Sequence, residues 1–293
     1  MKRERRRRIF AAAVIALSMT AMVLLLLVRT GLIPWPWSAK LPDDASGMEV
    51  TFLDVGEGDA IFISADGETM LVDGGLPEYS DMIYSFLKER NVRFIDHVVC
   101  THPHSDHVGG LSGALSYARA GDAICCTDEY DSRAFRSFVT KLGEQGVTLK
   151  TVSAGYSFTL GNAEVTVISP SREYEELNDM SLVLRIRYGS TTVLLTADAG
   201  YEAELDMMDS EYELGADLLK AGHHGSGASS YYYFLKEVSP QYCVISVGKD
   251  NENGHPSENV ISKLESLGAE VIRTDESGTV SFFSDGKTLR RTD

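Results

Sequence analysis

Apolar residues follow three regimes along this chain. From Ile9 to Val28 they form a stretch of 20 residues with no charge. A helix of that length covers about 30 Å, the thickness of a bilayer core. Residues 29–47 form a linker, with Trp35 and Trp37 suited to a membrane interface. From residue 48 to 293 the pattern breaks into short units. Runs rich in β-branched and aromatic residues at 49–55, 60–64 and 69–72, split by Gly and Asp-Gly turns, predict strands. Met82, Ile83, Phe86 and Leu87 have helical spacing and predict a helix over 79–89. A strand over 94–100, a helix reaching Ala118 and a strand over 123–126 follow. Phe135, Phe138, Val139 and Leu142 share one face of a helix over 134–145. Strands are then expected at 148–152, 156–160, 164–168, 181–188 and 192–196. The rest reads as helix 201–208, strand 216–219, helix 231–238, strand 242–247, helix 257–267 and strands 270–273 and 279–283. Strands thus come in two batches, each closed by strand–helix alternation. That order suits two β-sheets packed face to face with helices outside.

Charge changes the picture at the N-terminus. Residues 1–8 carry six basic side chains and one acidic one, and Arg29 adds a further positive charge. Removing that net +6 from the overall −16 leaves −22 on residues 30–293. The basic block predicts a cytoplasmic N-terminus and a single-pass anchor over 9–28. A cleaved signal peptide, giving a secreted protein, is the alternative. Its apolar core would be shorter, about 7–15 residues, with a small-residue cleavage site that does not follow closely after Val28. Either reading places the acidic domain outside the cytoplasm. Such a body repels polyanions at long range, so tight non-specific DNA binding is not expected. The four cysteines, Cys100, Cys125, Cys126 and Cys243, show no disulfide framework, although a single bridge is compatible with an extracytoplasmic domain.

The chemistry concentrates in Thr101-His-Pro-His-Ser-Asp-His-Val-Gly-Gly110. His102 and His104 lie two residues apart after a strand-like run, so both rings can grip one cation from one side. Asp106 and His107 follow where the chain turns and can face a second cation. Imidazole nitrogen with carboxylate oxygen suits Zn²⁺, with Mn²⁺ or Fe also possible. A metal-free His-rich loop would not concentrate four ligand-type side chains at this spacing.

His-x-His-x-Asp-His resembles the signature of the metallo-β-lactamase superfamily. A narrower likeness is to the hydrolase domain of ComEC-type DNA-internalisation competence proteins. It is carried by Phe52-Leu-Asp-Val-Gly-Glu-Gly-Asp-Ala60, Leu71-Val-Asp-Gly-Gly75, Ser181-Leu-Val-Leu184, Leu195-Thr-Ala-Asp198, Leu219-Lys-Ala-Gly-His-His-Gly-Ser226 and Gly254-His-Pro256. The resemblance implies an αβ/βα four-layer sandwich over residues 48–293, with two divalent metal ions, Zn or Mn, in a cleft at one edge of the sheets. It implies Asp198 as the bridging carboxylate, where an isolated reading would allow a helix N-cap. It puts His223 on the second cation and leaves His224 for substrate or support. Asn178 stands where the general pattern has a third histidine for the first cation; its amide oxygen is a weaker zinc ligand. Asp73 is expected to hold the outer nitrogen of a ligating histidine, though it would serve equally as a turn-former. Ser226, in its Gly-Ser-Gly turn, is a candidate phosphate contact. His255 has a precedent as a proton donor and is otherwise a loop histidine. His97 reads as structural. Glu57 replaces the Gln usual in its turn and adds a charge.

The expected reaction is metal-assisted hydrolysis of a phosphodiester, with Asp106 orienting the attacking group and His224 or His255 supplying a proton. Nucleic acid or nucleotide as substrate is implied by the resemblance alone. The alternatives are a lactonase or β-lactamase-type hydrolase, and a non-catalytic surface binding protein. Asn178 in place of a third histidine weighs against the first, and the retained ligand set against the second.

Overall fold

The computed structural model describes residues 46–293. The stretch 9–28 expected as a membrane anchor lies outside the described residues. Among the described residues no helix is long and apolar enough to cross a membrane.

Among the described residues fifteen strands, numbered here in chain order, make two sheets. The first runs from edge to edge as β15 (Leu289–Arg291), β14 (Val280–Ser284), β1 (Met48–Phe52), β2 (Ile61–Ala65), β3 (Glu68–Val72), β4 (Phe94–Cys100), β5 (Arg119–Cys125) and β6 (Leu149–Thr151). The second runs as β13 (Glu270–Arg273), β12 (Tyr242–Ile245), β11 (Leu218–Lys220), β10 (Thr191–Leu195), β9 (Val183–Tyr188), β8 (Ala163–Ser169) and β7 (Ser157–Leu160). Both sheets change from antiparallel hairpins to parallel pairing, the first at β3–β4 and the second at β10–β11.

Three helices cover the first sheet: α1 (Ser80–Glu89), α3 (Leu111–Tyr117) and α4 (Arg133–Glu144). Between α1 and α3 lies the single turn α2 (Ser105–Val108). On the second sheet, α5 (Tyr201–Met208), α6 (Tyr232–Val238) and α7 (Glu258–Ser266) bury Ala203, Met207, Phe234, Leu235, Val260 and Leu264. The αβ/βα arrangement of two sheets follows directly. In α4, Ser132 caps the helix by accepting from Phe135 N at 3.1 Å, and Phe135, Phe138 and Leu142 face the core. The capped start lies one residue before the apolar pattern begins.

Phe282 ties the sheets together. It alternates inward on β14, packs edge-on against Phe52 of its own sheet at 6.2 Å, and meets Tyr242 of the other sheet at 5.2 Å. Strand β5 starts four residues before the expected strand, because exposed Arg119 and Gly121 and half-buried Asp122 interrupt the apolar pattern of its first half. All four cysteines are buried and free.

Candidate metal centre

The chain leaves the C-terminal ends of β1, β3, β4, β8, β10, β11 and β12 on loops that carry Asp59, Asp73, the His102–His107 run, Asn178, Asp198, the His223–His224 pair and His255. Strand ends of this kind are where open α/β sheets place ligands.

After β4, Thr101 anchors the loop: its N donates to Asp73 Oδ1 at 2.8 Å and its Oγ1 to Asp73 Oδ2 at 2.6 Å. His104 remains extended and the chain then turns into α2, which brings the His107 ring to 4.1 Å from that of His102. This sharp turn requires glycine nearby. A Cβ on Gly110 would collide with the Gly74 carbonyl, and Gly74 N donates to His107 O at 2.7 Å.

His102 and His104 bring Nε2 and Nδ1 to 3.1 Å of each other. His107 Nδ1 lies 2.8 Å from Asp73 Oδ2, so its Nε2 faces inward, 3.2 Å from Asp198 Oδ1 and 3.7 Å from Asp106 Oδ2. After β11, His223 and His224 both take left-handed backbone angles (φ 48° and 53°), which costs energy for non-glycine residues and turns the two rings to different sides. His224 Nδ1 lies 2.9 Å from Ser246 O, and its Nε2 reaches Asp198 Oδ1 at 3.4 Å and Asp106 Oδ2 at 3.5 Å. His223 Nε2 instead stands 3.7 Å from Asp198 Oδ2 and 3.5 Å from Asn178 Nδ2. His102 Nε2 is on that same side, 3.9 Å from Asp198 Oδ2.

Asp198 therefore divides two groups of donors. Its Oδ1 belongs with Asp106, His107 and His224, whose ligand atoms lie within 4.8 Å of one another. Its Oδ2 faces His102 and His223, with His104 and Asn178 beside them. A divalent cation suits the first of these groups. His107 Nε2, His224 Nε2, Asp198 Oδ1 and Asn178 Oδ1 are buried without any hydrogen-bond partner. Orphaned buried polar atoms of this kind cost about 1–3 kcal/mol each unless a ligand takes them. Nitrogen and carboxylate oxygen are donors suited to divalent zinc, manganese or iron.

The electrostatics agree. Burial works against the charged His107 ring, yet Asp198 and Asp73 outweigh it and hold its proton affinity well above the usual imidazole range. Asp198, despite burial, is held well below the usual carboxylate range by His107 and His224. Burial and the neighbouring His107 push His102 well down. The charge on Asp198 is thus held at the centre of the pocket, where it attracts positive charge.

A second acidic group, Asp59, Asp73 and His107, is also within reach of a single ion. Here the protein supplies its own cation. The fully buried Lys220 ammonium lies 2.7 Å from Asp59 Oδ2 and donates to Ala197 O at 3.0 Å. Asp59 also sits 3.7 Å from His224 Nδ1, behind the ligand shell. Neither Asp59 nor Lys220 was picked out from the sequence as a site residue, although both lie inside the quoted motifs. A buried lysine flanked by apolar residues next to a His-His pair was the available signal.

Ser226 is not brought to this group: its Oγ accepts from Ala228 N at 3.2 Å and closes the turn. His255 is close by, its ring 5.5 Å from His223 and 6.5 Å from His224. His97 lies elsewhere, between Asp122 at 2.9 Å and Thr159 O at 3.1 Å.

Two sheets, helices on both outer faces and a His/Asp cluster at the strand ends define a class. Residues 53–248 match the metallo-beta-lactamase superfamily, and the chain belongs to it. Within that class the chain is similar to ComE operon protein 3 of Bacillus subtilis (27% identical over 253 residues, 80% of this chain and 33% of that protein). It is also similar to competence protein ComA of Neisseria gonorrhoeae (30% identical over 282 residues, 92% of this chain and 38% of that protein). The chain thus spans about a third of the length of these relatives. Among solved structures, the metallo-beta-lactamase fold protein YhfI from Bacillus subtilis shares the fold (TM-score 0.56, 16% identity, 82% of this chain and 100% of that one).

Proposed function

We propose that this member of a hydrolase superfamily is a metal-dependent phosphodiesterase acting on nucleic acid or nucleotides. The observation that carries the metal-dependent part is the division of Asp198 between two sets of donors. In this reading His102, His104, His223 and Asn178 would hold one cation and Asp106, His107 and His224 the other, with Asp198 between the two groups. His224 takes the ligand position that the resemblance gave to His223, because its Nε2 is the one among Asp106, His107 and Asp198. A pair of divalent cations, zinc or manganese, supplies Lewis-acid chemistry: it makes water nucleophilic near neutral pH and neutralises charge growing on a phosphoryl oxygen.

The chain's own groups do the rest. Asp73 and Ser246 O hold the outer nitrogens of His107 and His224, and so keep both inner nitrogens free to coordinate. Asp106 is the carboxylate at the open rim, 28% exposed, placed to orient an incoming nucleophile. His255 gives a proton to the leaving oxygen. Nucleic acid or nucleotide as substrate is supported by the likeness to a protein named for competence. In the same reading residues 9–28 anchor the chain, residues 29–47 link it, and residues 48–293 form the catalytic domain outside the cytoplasm. The −22 charge of residues 30–293 favours short or single-stranded pieces over long duplex.

Turnover of bis(p-nitrophenyl) phosphate after chelation and reloading with Mn²⁺ or Zn²⁺ tests this. Turnover restored by metal is expected. Folded, metal-loaded protein that stays inactive on the diester but opens a lactone or nitrocefin would replace this reading with the lactonase one.

A further inference from the structure

Glu57 lies on the turn between β1 and β2, yet all its side-chain partners come from the loop after β12. Its Oε1 is 3.0 Å from His255 Nδ1 and accepts from Asn253 Nδ2 at 3.2 Å, while its Oε2 accepts from Gly248 N at 3.1 Å. The two segments are fitted closely: a Cβ on Gly248 would lie 2.6 Å from Glu57 N. Asn251 braces the histidine's backbone, donating to His255 O at 2.6 Å and accepting from His255 N at 2.9 Å. Both members of the pair are largely buried, His255 13% and Glu57 16% exposed. His255 Nε2 has no partner among the described residues, and the ring stands beside His223 and His224.

A carboxylate only accepts hydrogen bonds, so the neutral His255 ring must carry its hydrogen on Nδ1 and its lone pair on Nε2. We propose that Glu57 is a positioning residue that fixes the orientation and tautomer of His255, making Nε2 the nitrogen that carries a proton to the substrate. The ring acts from its doubly protonated form: the Nε2–H bond breaks as that proton passes to the leaving oxygen, the neutral Nδ1–H ring remains, and Nε2 then takes a proton back from solvent. Glutamine would not substitute. With its one oxygen on Gly248 N–H, its amide NH₂ would face Nδ1 and favour the Nε2–H tautomer. The proton-carrying part rests on the phosphodiesterase reading above; the tautomer does not.

Ring nitrogen shifts decide the tautomer. The full chain, ¹⁵N-labelled at histidine and metal-free, is measured at alkaline pH, with the His255 signals identified by their loss in His255→Gln. The wild type is expected to show Nδ1–H. Glu57→Gln is expected to move toward Nε2–H, and Glu57→Ala to give a mixture. A wild-type ring protonated at Nε2, or the same shifts in all three proteins, overturns the proposal.

Rates on two diesters then test the proton. A thymidine dinucleotide leaves as an alkoxide and needs protonation; bis(p-nitrophenyl) phosphate leaves as a nitrophenolate and does not. In the metal-loaded protein Glu57→Gln should lose about 10- to 100-fold more on the dinucleotide, up to the lower end of general-acid effects, because the histidine itself remains. Equal losses on both substrates overturn the proton-carrying role. Absent dinucleotide turnover in the wild type sinks the phosphodiesterase reading instead, and the ring spectra still decide the role of Glu57.

Discussion

Asp73 Oδ2 lies 2.8 Å from His107 Nδ1, and both side chains are completely buried. The same carboxylate accepts from Thr101 N and Oγ1, so one aspartate holds both the loop and the ring it presents. Asp73→Asn offers an NH₂ to Nδ1 and favours a hydrogen on the inner nitrogen of His107. Metal affinity should fall about 10- to 100-fold, measured by competition with a chromogenic chelator. Unchanged affinity would mean that this bond is not what orients His107.

Substituting the adjacent histidines separates their roles. His224→Ala removes a buried nitrogen from the Asp106, His107 and Asp198 group and should cost one metal equivalent per chain, read by elemental analysis. His223→Ala acts on the opposite side of Asp198 and should leave the Asp106 group its metal. The reverse pattern would exchange the two assignments.

Removing metal should weaken the fold as well as stop turnover. A ligand present at 100 times its Kd stabilises by about 2.7 kcal/mol. Dialysis against chelator should therefore lower the Tm by several degrees, with recovery on adding Mn²⁺ or Zn²⁺. An identical Tm with and without chelator would show that the buried donors are satisfied in some other way.

Phe282 bridges the two sheets through Phe52 and Tyr242. Phe282→Ala should destabilise the domain by about 3–5 kcal/mol, from lost burial and the cavity left behind. The urea midpoint measures this, and a loss below 1 kcal/mol would contradict the packing described.

Glu204 supplies a pH dependence. Burial pushes its carboxyl up to about 7 from 4.5, although Ser230 N and Tyr231 N donate to it. Because the folded value is raised, the folded state holds its proton more tightly than the unfolded chain. That contribution is present at low pH and is lost as pH rises from about 4.5 to about 7. Glu204→Gln removes the titration. Its stability relative to wild type should climb across that window by up to about 3 kcal/mol, followed by denaturant unfolding at several pH values. A difference that stays flat with pH would contradict the shift.

Local pattern carried much of this molecule. Period-two runs and the face formed by Phe135, Phe138 and Leu142 located most strands and helices, because burial on one face leaves a regular trace in sequence. The spacing of His102, His104, Asp106 and His107 located the cleft, because side-chain direction along an extended segment is fixed by the backbone. What spacing could not give was the sign of φ. His223 and His224 are neighbours of identical chemistry, and only their left-handed backbone decides which ring turns toward Asp106. Nor could it give partners from distant segments. Lys220 reads as one more charge until Asp59 is seen beside it, and Glu57 reads as a turn residue until the loop at 248–255 folds onto it.

The donors around Asp198 come from both sheets: His102 to His107 follow a strand of the first, and Asp198 and His224 follow strands of the second. A chain still being synthesised exposes its leading histidines long before the rest of the cage exists. The cage around Asp198 is therefore complete only once both sheets are in place, so a chain lacking its second half has the leading histidines without the carboxylate that they share a site with.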